Sequence, residues 1–171
     1  MNKISVIGLD LAKNVFQVHA VDNEGEVALR KKLSRSQMQR YFAKLSPCLI
    51  GIEACGGSHY WARVLTGLGH TVRMMAPAFV KPYLKSNKND RNDAEAICEA
   101  VQRPHMRFVA VKTPEQQAVM HLHHGRKQLV RQRVALSNHI RAVLAEFGVC
   151  LPQGVKIIPL RLPELLEDAE N

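Results

Sequence analysis

Four acidic residues stand where they could work together. Asp10 ends an apolar run containing Ile4, Val6, Ile7 and Leu9, and Glu53 ends a second run over residues 48–53. Asp90 and Asp93 stand three apart at the head of a helical pattern. They therefore share a helix face, and a helix start is where carboxylates gain from the macrodipole. If the two runs are neighbouring strands, about 4.8 Å apart, Asp10 and Glu53 point into one crevice at the carboxyl ends of the strands. Four carboxylates gathered there repel one another unless a cation lies among them. Hard oxygen ligands select Mg2+, or Mn2+, over zinc. Two such ions about 3.5–4 Å apart would clamp the attacking and leaving oxygens of a phosphodiester. Each acid alone reads more simply as a solvated strand end or a helix cap. The combination points to chemistry, because an unpaired charge in the hydrophobic strand around Asp10 is costly.

The elements that must position these acids read as a mixed α/β sheet. Residues 3–10, 15–21 and 26–33 form strands of an antiparallel meander, the last two joined by the turn Asp22-Asn23-Glu24-Gly25. In the second strand Val15, Gln17 and His19 share one face, and Phe16, Val18 and Ala20 share the other. Ser34 caps a helix to about Leu45, and residues 48–53 make a fourth strand. Gly56-Gly57-Ser58 opens a helix to about Leu68 with Gly69 as its stop, and residues 71–75 make a fifth strand. Pro77 opens a short helical piece towards Leu84, and residues 85–89 are a polar, basic loop. Residues 90–102 form a helix with Ala94, Ile97, Cys98 and Val101 on its apolar face, and residues 108–111 a strand or extended connector. Strands followed by alternating helices and strands define the mixed class. Tyr60 and Trp61 are expected in the core. Cys48, Cys55, Cys98 and Cys150 lack any C-x-x-C pairing and are expected as small buried thiols, not as a zinc site.

Thr113 and Pro114 open a long helix to about Phe147, stopped by Gly148. Leu122, Leu129, Leu136 and Val143 recur every seven residues, beside Val119, Arg126, Arg133, Ile140 and Phe147. That is a coiled-coil-like seam with two arginines set into it, where buried like charges would repel. The tail from Leu151 holds Pro152, Pro159 and Pro163 and reads as a linker. Lys and Arg total 24 against 15 Asp and Glu, a net charge of +9. Such a balance suits a polyanionic partner. Lys13, Lys81, Lys85, Lys88 and Arg91 flank the acids and are candidates for contact with backbone phosphates. Arg126, Lys127, Arg131, Arg133 and Arg141 on the long helix are candidates for RNA, which arginine-rich helices bind. There is no signal-peptide pattern and no membrane-length apolar run, so a cytosolic location without a membrane partner is expected.

The segments GLDLAKNVFQVHAVDNEG, IEACGGSHYW and KSNKNDRNDAEAI, in that order, resemble the DEDD transposases of the IS110/IS1111 group, over about residues 4 to 147. The resemblance implies a ribonuclease-H-like (RuvC-like) catalytic domain over residues 1–112. It further implies a long basic helix for dimerisation and RNA contact over residues 113–148. Residues 149–171 would then link to a C-terminal, serine-bearing domain. By position, Asp10, Glu53, Asp90 and Asp93 match the catalytic, metal-binding tetrad. The resemblance implies Mg2+-dependent cleavage and exchange of double-stranded DNA, guided by a structured bridge RNA, in a homo-oligomer (dimer or tetramer). A serine on the C-terminal domain would be the nucleophile. Because the sequence stops at Asn171, this chain is expected to carry only the DEDD half and to be inactive for full strand exchange. Three other readings stay open: a stand-alone RuvC-like endonuclease or junction resolvase, a non-enzymatic RNA-binding and dimerisation module, and, ranked last, a sugar kinase-like fold, for which Gly56-Gly57 alone is thin support.

Overall fold

The computed structural model describes residues 4–84 and 90–167, and for residues 90 and 91 the backbone alone. The chain divides into two compact units, Met1–Thr113 and Pro114–Asn171.

The first unit is built on one six-stranded sheet. Its strands are β1 (Val6–Leu11), β2 (Val15–Val21), β3 (Val27–Ser34), β4 (Leu49–Glu53), β5 (Thr71–Met75) and β6 (Phe108–Val109), in the order β3-β2-β1-β4-β5-β6. The first three form the antiparallel meander. On the other side of β1, β4 and then β5 run parallel to it, and β6 closes the edge antiparallel to β5. The turn between β2 and β3 follows its residue types. The Asp22 carboxylate accepts the backbone N–H of Glu24 at 2.9 Å and of Glu26 at 3.0 Å, and Gly25 takes φ 85°.

The period-two alternation sorts side chains between two cores. Ile7, Leu9, Phe16, Val18, Ile50 and Ile52 face helices α1 (Met38–Phe42) and α2 (Ser58–Gly67), where Phe42, Trp61 and Leu65 complete the cluster. Val6, Val21 and Met75 face the opposite way. There they meet α3 (Pro77–Val80) and α4 (Asp90–Val101) through Val80, Ala96, Ile97, Cys98 and Val101. The result is the expected ribonuclease-H-like mixed sheet flanked by helices.

Several expectations are corrected. The helix after Ser34 is shorter than its sequence suggests. It begins as a 3-10 turn over Arg35–Gln37, and beyond α1 Lys44 and Leu45 donate to carbonyls only three residues back. Pro47 disfavours helical backbone just before it, so the last turn tightens and stops. Trp61 is buried edge-on to Phe16 at 5.3 Å, whereas Tyr60 is exposed. Neighbours on a helix point about 100° apart, so only one of the two can face the sheet. Cys48 and Cys98 are buried, but Cys55 and Cys150 are exposed because they lie on the loops that follow β4 and the long helix.

The second unit holds α5 (Pro114–Glu146), 33 residues long, and α6 (Ile157–Glu167). The tail read as a linker thus contains a helix, with Ile158 buried. Pro159 is tolerated because it falls in the first turn, where backbone N–H groups have no partner within the helix. Pro163 lies inside α6. The heptad leucines of α5, Leu122, Leu129 and Leu136, are exposed. Among the described residues no helix is long and apolar enough to cross a membrane.

Two glycines in the sheet unit have no room for a side chain. A Cβ on Gly8 would lie 2.0 Å from the Ala94 carbonyl oxygen and 2.4 Å from the Cys98 backbone nitrogen. A Cβ on Gly51 would lie 2.8 Å from Val101 Cβ. Helix α4 therefore rests on bare backbone at β1. Gly8→Ala is expected to cost about 3 kcal/mol or more in urea unfolding, because backbone must move to admit it. Gly67→Ala, with nothing within 4 Å of its new Cβ, should be neutral or mildly stabilising. Equal effects at the two positions would contradict this packing.

Candidate active site

The same alternation that sorts the cores aims the acids. Val6, Gly8 and Asp10 lie on the α4 face of β1, and Leu49, Gly51 and Glu53 on the α4 face of β4. The parallel register pairs Gly8 with Gly51 and Leu9 with Ile52. Asp10 and Glu53 follow one step on, at the carboxyl ends of adjacent central strands. Asp93 immediately precedes Ala94, whose carbonyl lies over Gly8. Gly8 and Gly51 thereby set how far above the strands the first turn of α4 stands.

Electrostatics places these acids in one neighbourhood. Burial holds the Glu53 carboxyl above its ordinary value, and the negative charge of Asp93 raises it further. Cys55 is an exposed residue, yet its thiol is pushed up by partial desolvation, then by Glu53, then by Asp10. Glu53 thus feels Asp93, and Cys55 feels both Glu53 and Asp10. Among the described residues no group of three or more His, Cys, Asp or Glu side chains is close enough to hold a metal ion. The three described acids are neighbours without forming a closed coordination shell. Asp90 opens α4, and its side chain lies outside the described residues. A carboxylate held up by burial and by an acidic neighbour fits a hard divalent cation, which would relieve that repulsion.

A polar flank borders the acids. Gln17 is the cross-strand partner of Asp10 and is half-buried. On the same face of β2, His19 is buried with Nδ1 4.0 Å from Glu95 on α4, and Arg30 binds that carboxylate at 3.1 Å. The shared face of Gln17 and His19 was visible as alternation, but nothing in the sequence tied it to Asp10.

The basic candidates divide. Lys13, in the β1–β2 loop, and Lys81, after α3, are exposed. Lys85 and Lys88, like the Arg91 side chain, lie outside the described residues. Arg126, Lys127, Arg131 and Arg133 are exposed along α5. Arg141 is engaged within its own unit. Its guanidinium donates to the Pro152 carbonyl at 3.0 Å, to the Gly154 carbonyl, and to Asn138 Oδ1 at 3.2 Å, which pins the turn before α6 to α5.

The fold is a ribonuclease-H-like domain, with Asp10 and Glu53 at the carboxyl ends of its central strands. The chain matches the family model for DEDD transposases of the IS110 type, described as a transposase, over residues 7–149. It belongs to that family. It is 58% identical to a "Probable family 20 transposase" of Pseudomonas aeruginosa, over 98% of this chain and 49% of that protein. It is 45% identical to the "Transposase for insertion sequence element IS1328" of Yersinia enterocolitica, over 99% of this chain and 51% of that protein. With the "Transposase for insertion sequence element IS1111A" of Coxiella burnetii the identity is 44%, over 97% of this chain and 46% of that protein. The chain spans about half the length of these curated relatives. A solved RuvC structure from Thermus thermophilus is similar over 61% of this chain and 99% of its own, with 12% identity and a TM-score of 0.47.

The raised Glu53 pKa has a consequence for stability. Between its ordinary value of 4.5 and its higher folded value, the native state binds more protons than the unfolded one. Stability therefore falls as pH rises through that window, and the penalty is complete above it. In EDTA, Glu53→Gln should melt higher than wild type at neutral pH, and the gap should close as pH falls towards 4.5. Parallel melting curves at every pH would contradict the crowding of Glu53 with Asp93.

Proposed function

We propose that this chain is the acid-bearing half of a metal-dependent transposase that cleaves and exchanges strands of double-stranded DNA. Asp10, Glu53, Asp90 and Asp93 are its Mg2+ ligands, with Mn2+ as a substitute. The observation that carries this reading is the electrostatic linkage of acids remote in sequence: Glu53 with Asp93, and Cys55 with both Glu53 and Asp10. Membership of a transposase family supports the reaction class, and the names of the relatives support an insertion-sequence element as the DNA that is moved. A divalent cation in such a site supplies charge stabilisation at a phosphodiester oxygen and an activated nucleophile. The chain's own contribution is rigid placement: Asp10 and Glu53 ride on paired central strands, and Asp93 on the helix seated over Gly8.

In this reading Lys13, Lys81, Lys85, Lys88 and Arg91 hold DNA phosphates around the acids. The exposed Arg126, Lys127, Arg131 and Arg133 of α5 contact a structured bridge RNA. The chain works within a homo-oligomer, and the exposed seam with its two arginines is a face for RNA. The relatives are about twice as long as this chain. We assign the nucleophilic serine to the further half of such a protein, and the site of action to the bacterial cytosol and nucleoid. The 171-residue chain alone should therefore bind metal without completing strand exchange.

Calorimetric titration tests this. Mg2+ and Mn2+ should bind wild type, and binding should fall at least tenfold in Asp10→Ala and in Glu53→Ala, as expected when a carboxylate ligand is removed. Undiminished affinity in both folded variants would remove the basis for a metal-dependent reaction. Cleavage of branched DNA by the purified chain would instead favour a stand-alone nuclease.

A further inference from the structure

A second polar site lies in the same unit, between α2 and the segment after β6. His59 is the second residue of α2, six residues after Glu53. Lys112 follows β6 and is held against α2 by its backbone. Its N–H donates to His59 Nδ1 at 3.1 Å, and its carbonyl accepts the Arg63 guanidinium. Its side chain curls back as well, with Nζ 3.2 Å from His59 Nε2. All three residues are partly exposed.

The protons decide what this arrangement can bind. A neutral imidazole has one donor and one acceptor nitrogen. His59 Nδ1 faces a backbone N–H, so it must be the acceptor, and Nε2 must carry the proton. Burial, then Lys112, then Arg63 disfavour the imidazolium, which keeps His59 in this neutral form. The Nε2–H therefore faces an ammonium that is also a pure donor. Two donors at 3.2 Å are mutually satisfied only by an acceptor that both can reach. One of these donors is a cation, so the acceptor best suited to the pair is an anionic oxygen.

We propose that His59 and Lys112 form a phosphate clamp, in which the imidazole Nε2–H and the Lys112 ammonium jointly take one non-bridging oxygen of a DNA backbone phosphodiester, while Arg63 holds the Lys112 backbone in place. The choice of DNA rests on the transposase reading above. The chemistry of the anion site does not. Contacts of this kind fix the register of a duplex without reading its sequence. They would anchor the strand at one loop's distance along the chain from Glu53.

The test uses the full 171-residue chain. Lys112→Met keeps the stem and both backbone bonds, so it removes the ammonium alone. Fluorescence anisotropy with a labelled duplex should show affinity reduced about fivefold, with the slope of log affinity against log salt shallower by roughly 1. Lys112→Arg should restore most of both. In parallel, NMR of the His59 ring nitrogens should report the Nε2–H tautomer. The His59 titration midpoint should move upward on addition of inorganic phosphate or duplex, because a bound anion favours the imidazolium. An unchanged salt slope in Lys112→Met, together with an unmoved His59 midpoint, would overturn the clamp. A response to inorganic phosphate and an RNA hairpin, but not to duplex DNA, would uphold the anion site and reject DNA as its occupant. Failure of wild type to bind any duplex would count against the transposase reading, and a phosphate-shifted His59 in that same protein would keep the anion site.

Discussion

Helix α4 meets β1 with no side chain between them at Gly8, and the placement of Asp93 near the strand-end acids depends on that contact. The Ala94 carbonyl and the Cys98 backbone nitrogen occupy the space where a Cβ would be, and Val101 presses on Gly51 next door. Side chains at those two positions would lift the helix by the thickness of a methyl group or more. Asp93 sits one residue from the contact, so lifting the helix would also separate it from the strand-end acids. Glycine at the centre of buried strands costs conformational entropy and forgoes packing. Here the close approach offsets that cost by fixing the height of α4 above the sheet.

That geometry sets a conflict within the fold. Hydrophobic cores on both faces of the sheet hold β1 and β4 rigid, and the same burial raises the Glu53 carboxyl before any neighbouring charge is counted. Acids brought together in a poorly solvated place destabilise the protein that carries them, and such tension is characteristic of sites built to receive a cation. In the function proposed above, a divalent cation would relieve that tension. The flank of Gln17, His19, Glu95 and Arg30 continues the polar character of this face along β2 and onto α4.

Much of this was legible because the decisive signals are local and periodic. Strand β2 shows its faces by alternation, and β5 and α4 show their extent through the residues that bound them. Asp10 and Glu53 were visible as acids closing apolar runs. What the sequence hid depended on tertiary placement. Tyr60 and Trp61 are equally apolar candidates, and only the angle of α2 on the sheet decides between them. The prolines of the tail look like breakers, yet Pro159 falls where a helix tolerates one. Arg141 looks like its basic neighbours on α5, and only the turn at Pro152–Gly154 shows that its guanidinium is engaged. His59 and Lys112 are 53 residues apart in sequence, and no spacing rule links them.

The gathering of the acids can be tested at the level of individual residues by adding paramagnetic Mn2+ to the isotopically labelled chain and recording which backbone amide signals broaden. A shared site predicts that signals around Asp10, Glu53 and Asp93 broaden together at the same low concentration of Mn2+, while those of α5 do not. Broadening confined to one of these three segments, or spread evenly over the acidic surface, would contradict the account.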